Sequence, residues 1–236
     1  MENREEKYII NNENDYDIQD KEQEIYSKNK DKENAPCIIS ISPSSKFDMC
    51  FKILIIGNCN VGKTCITNRA TQEEFKKNYQ PTIGLEYFTI FIKLNYKIIK
   101  LLIWDTCGQE KYCSLISNYY RNASLAIIVY SVDNLKSFKD IDFWIKELKS
   151  NSSPDIKLML IGNKKDLIEE RQVQYDEGKK IANDYGFYYF SETSAKTGEN
   201  IKEIFIKATR IVYEDYLRYD ENSSIGKSQT SSLKIN

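Results

Sequence analysis

The octet Gly57-Asn58-Cys59-Asn60-Val61-Gly62-Lys63-Thr64 constrains this chain more than any other feature. Before it, Phe51 to Ile56 is a short apolar run with one lysine, as in a strand buried on both faces. After it, Lys63 to Phe75 carries a helical pattern. Gly57 and Gly62 permit a tight strand-to-helix loop whose backbone N–H groups turn inward. Such a loop cradles phosphate oxygens, here with Asn60, Val61, Gly62, Lys63, Thr64 and Cys65. Lys63 reaches the β- and γ-phosphates, the Thr64 hydroxyl is a ligand for Mg2+, and the helix adds its positive end. The octet therefore predicts a nucleoside-triphosphate site but leaves kinase, ATPase and GTPase chemistry open.

The rest of the chain repeats the alternation. Leu85 to Leu94 and Lys97 to Trp104, joined by Asn95-Tyr96, read as a hairpin. Leu125 to Tyr130, Lys157 to Ile161 and Phe187 to Phe190 read as further buried strands. Helical patterns fill the intervals at Leu135 to Leu148, Glu177 to Tyr185 and Ile201 to Leu217. This predicts an α/β fold: a six-stranded, mostly parallel sheet with one antiparallel edge strand and helices on both faces. Residues 50–218 are expected to hold that domain. Residues 1–46, rich in Glu, Asp, Lys and Asn, read as a disordered acidic extension, and 219–236 as a flexible polar tail.

Composition excludes several chemistries. The chain has no histidine, so Ser-His-Asp and Cys-His hydrolysis are ruled out and no Cys/His zinc site can be completed. Its six cysteines form no CxxC pair and read as free thiols of a reducing compartment. A net charge of −1 argues against a dedicated nucleic-acid binder. No apolar run approaches the roughly 20 residues of a membrane span, and the charged N-terminus is no secretory signal, so the expected location is cytoplasmic.

Two later segments address the base. Asn163-Lys164-Lys165-Asp166 follows the strand that begins at Lys157, at its carboxyl end, where open α/β sheets bind ligands. A carboxylate at Asp166 accepts hydrogen bonds from the ring N–H and exocyclic amine of guanine. Adenine presents an unprotonated ring nitrogen there, and the buried acceptor would go unpaired. Ser194-Ala195-Lys196, after the Phe187 strand, offers backbone N–H groups to the guanine carbonyl. Either tetrapeptide-scale signal is weak alone; in order behind the phosphate loop they are strong.

From about Phe51 to Tyr216 the chain resembles the Ras-superfamily small GTPases, a branch of the P-loop NTPases, and within them the Rab branch. The resemblance is carried by Ile83-Gly84-Leu85-Glu86-Tyr87, Lys100-Leu101-Leu102-Ile103-Trp104, Lys111-Tyr112-Cys113-Ser114-Leu115, Tyr119-Tyr120-Arg121-Asn122-Ala123 and Ile128-Val129-Tyr130-Ser131-Val132-Asp133. It implies that Phe75 packs on the purine and that Thr82 ligates Mg2+ and senses the γ-phosphate. It implies that Asp105 holds Mg2+ through water, that the Gly108 N–H touches the γ-phosphate, and that Gln109 orients the attacking water, with Lys63 and Gly108 assisting catalysis. Tyr87, Trp104 and Tyr119 match an aromatic triad presented to effectors. The implied activity is slow GTP hydrolysis, on the order of 10⁻⁴ to 10⁻² s⁻¹ unaided, switching effector binding in vesicle traffic. The implied partners are effectors, an exchange factor and an activating protein that supplies an arginine to a monomer.

Three positions depart from that pattern. Cys107 replaces the usual alanine, Cys59 and Asn60 are bulky for a phosphate loop, and slowed hydrolysis is the expectation. The last cysteine is Cys113, so no C-terminal prenyl acceptor is present in this sequence, and membrane association is expected only indirectly, through a partner, or by an unrecognised anchor. The competing expectation is a nucleotide-locked binding module with vestigial hydrolysis.

Overall fold

The structure, a computed structural model, describes residues 35–42, 45–72, 85–106 and 119–231, with side chains described as far as Asp220. The chain divides into two compact units, Met1–Ala35 and Pro36–Asn236; apart from Ala35 the described residues belong to the second.

Among the described residues the elements run in order β1 (Cys37–Ile39), β2 (Met49–Ile56), α1 (Lys63–Gln72), β3 (Leu85–Leu94), β4 (Lys97–Thr106), β5 (Leu125–Ser131), α2 (Leu135–Lys139), α3 (Ile141–Asn151), β6 (Lys157–Asn163), α4 (Tyr175–Asp184), β7 (Tyr189–Glu192) and α5 (Ile201–Ser231). The strands form one sheet in the order β1-β3-β4-β2-β5-β6-β7. β4 and β5 flank β2 in parallel, and β6 and β7 continue in parallel. β3 runs antiparallel to β4 and to β1.

The sheet thus has seven strands rather than six. The added strand, Cys37–Ile39, lies in the segment expected to be a disordered extension. It forms because Ile38 faces the core opposite Ile92, while its neighbours Cys37 and Ile39 complete the ladder with Lys93 and Phe91. As a consequence the single strand of reversed direction, β3, sits one in from the edge rather than on it. The helix expected over 135–148 is broken at Asp140, whose N–H bonds to Lys136 and Phe138, and restarts as α3. The last strand falls at Tyr189–Glu192, two residues later than its apolar run suggests.

Alternation along the central strands explains the layers. Ile53 and Ile55 of β2, with Leu125, Ile127 and Val129 of β5, point to one face. There they pack on Ile66 and Ala70 of α1 and on Ile204, Phe205 and Ala208 of α5. Leu54, Ile56, Ala126, Ile128 and Tyr130 point to the other face, against Ile141, Trp144 and Leu148 of α3 and Ala182 of α4. A period of two on a sheet buried on both sides requires apolar residues at every position, and β5 is buried along its whole length. The chain leaves β2 toward β3 and β4 on one side of it, and then passes from β4 to β5 on the other. The crevice beyond the carboxyl end of β2 is therefore the switch point where such sheets bind ligands.

Candidate nucleotide site

Residues 57–62 form a loop at that crevice, between β2 and α1. Gly57 has φ +139°, and a Cβ there would lie 2.1 Å from the Val129 carbonyl oxygen of β5. Gly62 has φ +93°, and its Cβ would lie 2.3 Å from Asn163 Nδ2. Both demand glycine twice over, by backbone conformation and by space. Between them Asn60 adopts the left-handed region at φ 64°, which asparagine tolerates. Asn58 braces the loop from outside: its Nδ2 donates to Asp140 Oδ2 at 2.6 Å, and its Oδ1 accepts from Trp144 Nε1 at 2.7 Å.

The loop turns Lys63 and Thr64 inward at the first turn of α1. The Lys63 ammonium donates to the carbonyls of Gly57 and Asn58 at 2.9 and 2.8 Å, which hold it over the loop. The Thr64 hydroxyl donates to Oδ2 of Asp105, which arrives from the end of β4. Asp105 is fully buried, and its other oxygen has no hydrogen-bond partner. Burial pushes its pKa up to about 6, against the Thr64 bond and Lys63, which pull it down; Glu86 adds to the rise. A buried carboxylate with one unsatisfied oxygen beside a threonine hydroxyl is a donor set for a hard cation, which takes oxygen ligands. The Cys65 thiol is raised by burial first and then by Asp105, so it stays protonated at neutral pH.

The second half of the site comes from the loops after β6 and β7. Asn163, 1% exposed, ties three segments together. Its Nδ2 donates to Val61 O at 2.9 Å, and its Oδ1 accepts from Thr193 Oγ1 at 3.2 Å and Ala195 N at 3.3 Å. Asp166 receives Ser194 Oγ at 2.6 Å on one oxygen and faces Lys196 Nζ at 3.5 Å on the other. Lys164, at φ 65°, pairs with Asp133 at 3.3 Å. Asn163, Lys164, Asp166, Ser194, Ala195 and Lys196 are thus brought together, and Asn163 joins them to the phosphate loop.

Tyr87, Trp104 and Tyr119 also converge. Tyr87 and Trp104 are direct partners in the β3–β4 ladder and so share a face of the sheet. The Trp104 and Tyr119 rings lie 5.4 Å apart at 38°. Lys52 Nζ sits 4.1 Å from the Trp104 ring centre and donates to Arg121 O at 2.9 Å, which fixes the indole from below. Tyr87 is 72% exposed. Phe75, Thr82, Cys107, Gly108 and Gln109 lie outside the described residues.

Sequence reasoning missed the braces. Asp140, Trp144 and Thr193 belong to no motif, and Asn58, a position of the phosphate-loop octet to which no role was attached, meets Asp140 and Trp144 only in the fold. For Asn58 the one available signal was a polar side chain directly after Gly57.

A glycine-bounded loop at the switch point, with an inward lysine and a threonine–aspartate pair, defines the P-loop nucleotide-binding proteins. A model of the Ras family matches residues 52–214. Human Ras-related protein Rab-8B is 42% identical over 164 residues, covering 70% of this chain and 79% of that protein. Ras-related protein Rab-4 of Dictyostelium discoideum is 41% identical over 161 residues, 68% of this chain and 78% of its own. Ras-related protein Rab-19 of Xenopus laevis is 38% identical over 178 residues, 75% and 84% respectively. The chain belongs to the Ras family and is a Rab-like small GTPase.

Proposed function

We propose that this protein binds GTP and GDP with Mg2+, hydrolyses GTP slowly, and uses the change of nucleotide to control effector binding in vesicle transport. The observation that carries the reading is the junction made by Asn163. One buried side chain joins the phosphate loop to the loop of Ser194 and Ala195, so the two ends of a nucleotide are gripped by one framework.

In this reading the backbone amides of 60–65 and the Lys63 ammonium hold the β- and γ-phosphates. Thr64 and Asp105, with Thr82, hold the magnesium, which when bound neutralises charge on the phosphate oxygens. The orphaned Asp105 oxygen supports that assignment. Gln109 orients the attacking water, and the Gly108 N–H meets the γ-phosphate. Loss of that phosphate releases Thr82 and Gly108, and partners reading Tyr87, Trp104 and Tyr119 distinguish the two states. An activating protein supplies the arginine that the loop lacks, and an exchange factor reloads it. Phe75, Lys164 and the amides near Ala195 surround the base while Asp166 accepts its proton donors. Attachment to an endomembrane proceeds through a partner. No helix among the described residues is long and apolar enough to cross a membrane.

The test is nucleotide competition with a hydrolysis readout on wild type and Asp166→Asn. An amide presents a donor where the carboxylate had only acceptors, so the variant should lose guanine preference and gain xanthine. Equal binding of ATP and GTP by the wild type would end the reading.

A further inference from the structure

The strand β1 is not needed to build the nucleotide site, yet it is placed against the elements that support it. We infer that residues 37–41 form a strap within the chain that buttresses α1, the helix carrying Lys63 and Thr64, so that freeing the strap speeds nucleotide release. The inference rests on the nucleotide reading above.

Three observations carry it. First, β1 closes only part of the outer edge of β3, pairing with Phe91, Ile92 and Lys93. Three residues of ladder make a marginal strand, and the anchor is Ile38, which packs on the core beneath α1 and α5. Second, Ile38 and Ile41 face Ala70 and Thr71 of α1 across a cavity of about 260 Å3, with Ile90 and Phe91 of β3 also lining it. Lys202 of α5 stands on the same cavity. Without the strap this space opens to water, and Ala70 and Ile90, now 4% and 2% exposed, lose that cover. Third, α1 has ten residues, and a helix of that length spans about 15 Å as one stiff body. Its last turn faces the strap and its first turn holds the phosphate lysine. A shift at Ala70 and Thr71 is therefore passed to Lys63 and Thr64. The sequence adds that residues 73–84 join α1 to β3, the two elements the strap sits across.

The test uses the full chain loaded with a fluorescent GDP analogue at fixed Mg2+. Ile38→Asp removes the anchor and should speed release about fivefold or more, the lower range for coupling between two sites, with guanine preference unchanged. Lys93→Cys provides the opposite lever. Cys37 is its antiparallel partner, and such partners lie about 4.5–5.5 Å apart at Cα, within disulfide range. Oxidised Lys93→Cys should release no faster than wild type, and a reductant should leave it within about twofold of wild type. Hydrogen exchange of 63–72 and 85–93 in nucleotide-free protein provides a readout that needs no ligand, and Ile38→Asp should raise it in both. The inference is overturned if Ile38→Asp frees 37–41 yet leaves α1 exchange and release unchanged, or if the locked form releases faster. A wild type that never holds the GDP analogue overturns the nucleotide reading instead, and the α1 exchange then decides the strap alone.

Discussion

Replacing Asn163 by alanine tests whether this side chain is a structural tie in its own right. The side chain is 1% exposed and makes three hydrogen bonds, to Val61 O, Thr193 Oγ1 and Ala195 N. Thr193 is fully buried and Ala195 4% exposed, so truncation strands polar groups that water reaches poorly. At about 0.5–1.5 kcal/mol for each of the three bonds, the loss should be about 2–4 kcal/mol. In a domain of this size that lowers the melting temperature by roughly 5–15 °C. The loss must appear in EDTA without nucleotide, because all three bonds exist without ligand. Urea denaturation under those conditions measures it. Asn163→Asp sharpens the result: it keeps the acceptor for Thr193 and Ala195 but sets a buried carboxylate against Val61 O, so it should fare no better. A nucleotide-free Asn163→Ala within about 0.5 kcal/mol of wild type, with weakened GDP binding, would refute the tie and leave only a base contact.

Further outcomes follow from other sites. The pKa of Asp105 in the fold, about 6, stands above the ordinary carboxylate value of 3.8, chiefly through burial. Its contribution to metal-free stability is therefore fully present below about pH 4 and lost as pH rises through 6, an effect on the order of 3 kcal/mol. Asp105→Asn should remove that slope and stabilise the EDTA-treated protein at pH 7 while abolishing Mg2+-dependent nucleotide retention; urea midpoints at pH 5 and 7 check it. Arg171 grips Glu192 with two bonds of 2.7 and 2.9 Å, and Glu192 is 4% exposed. Arg171→Ala should therefore cost about 3–5 kcal/mol, with Glu192→Gln restoring part of it in a thermal melt. Tyr87→Ala should leave stability within about 0.5 kcal/mol and, once a partner of the GTP form is identified, weaken its binding about 30-fold or more by calorimetry.

The sequence by itself determined the strand–loop–helix at Gly57 to Thr64, the alternation that makes the fold α/β, and the segments that supply Asp105, Asp166 and Ala195. Those are local matters. Glycine at Gly57 and Gly62 is dictated by a left-handed backbone, and an unbroken apolar run such as Leu125 to Tyr130 by burial on both faces of a sheet. Only the tertiary structure decided that Asn163 spans both loops, that Asn58 is held by Asp140 and Trp144, and that Trp104 rides over Lys52. Asn58 and Asn163 lie 82 to 102 positions in sequence from Asp140, Trp144 and Val61, and Lys52 and Trp104 meet across neighbouring strands. No periodicity or turn preference encodes such a meeting. The seventh strand shows the same division. Cys37 to Ile39 looks too short to fold within a polar extension, and it becomes a strand because the edge of β3 offers it a ladder and the core accepts Ile38.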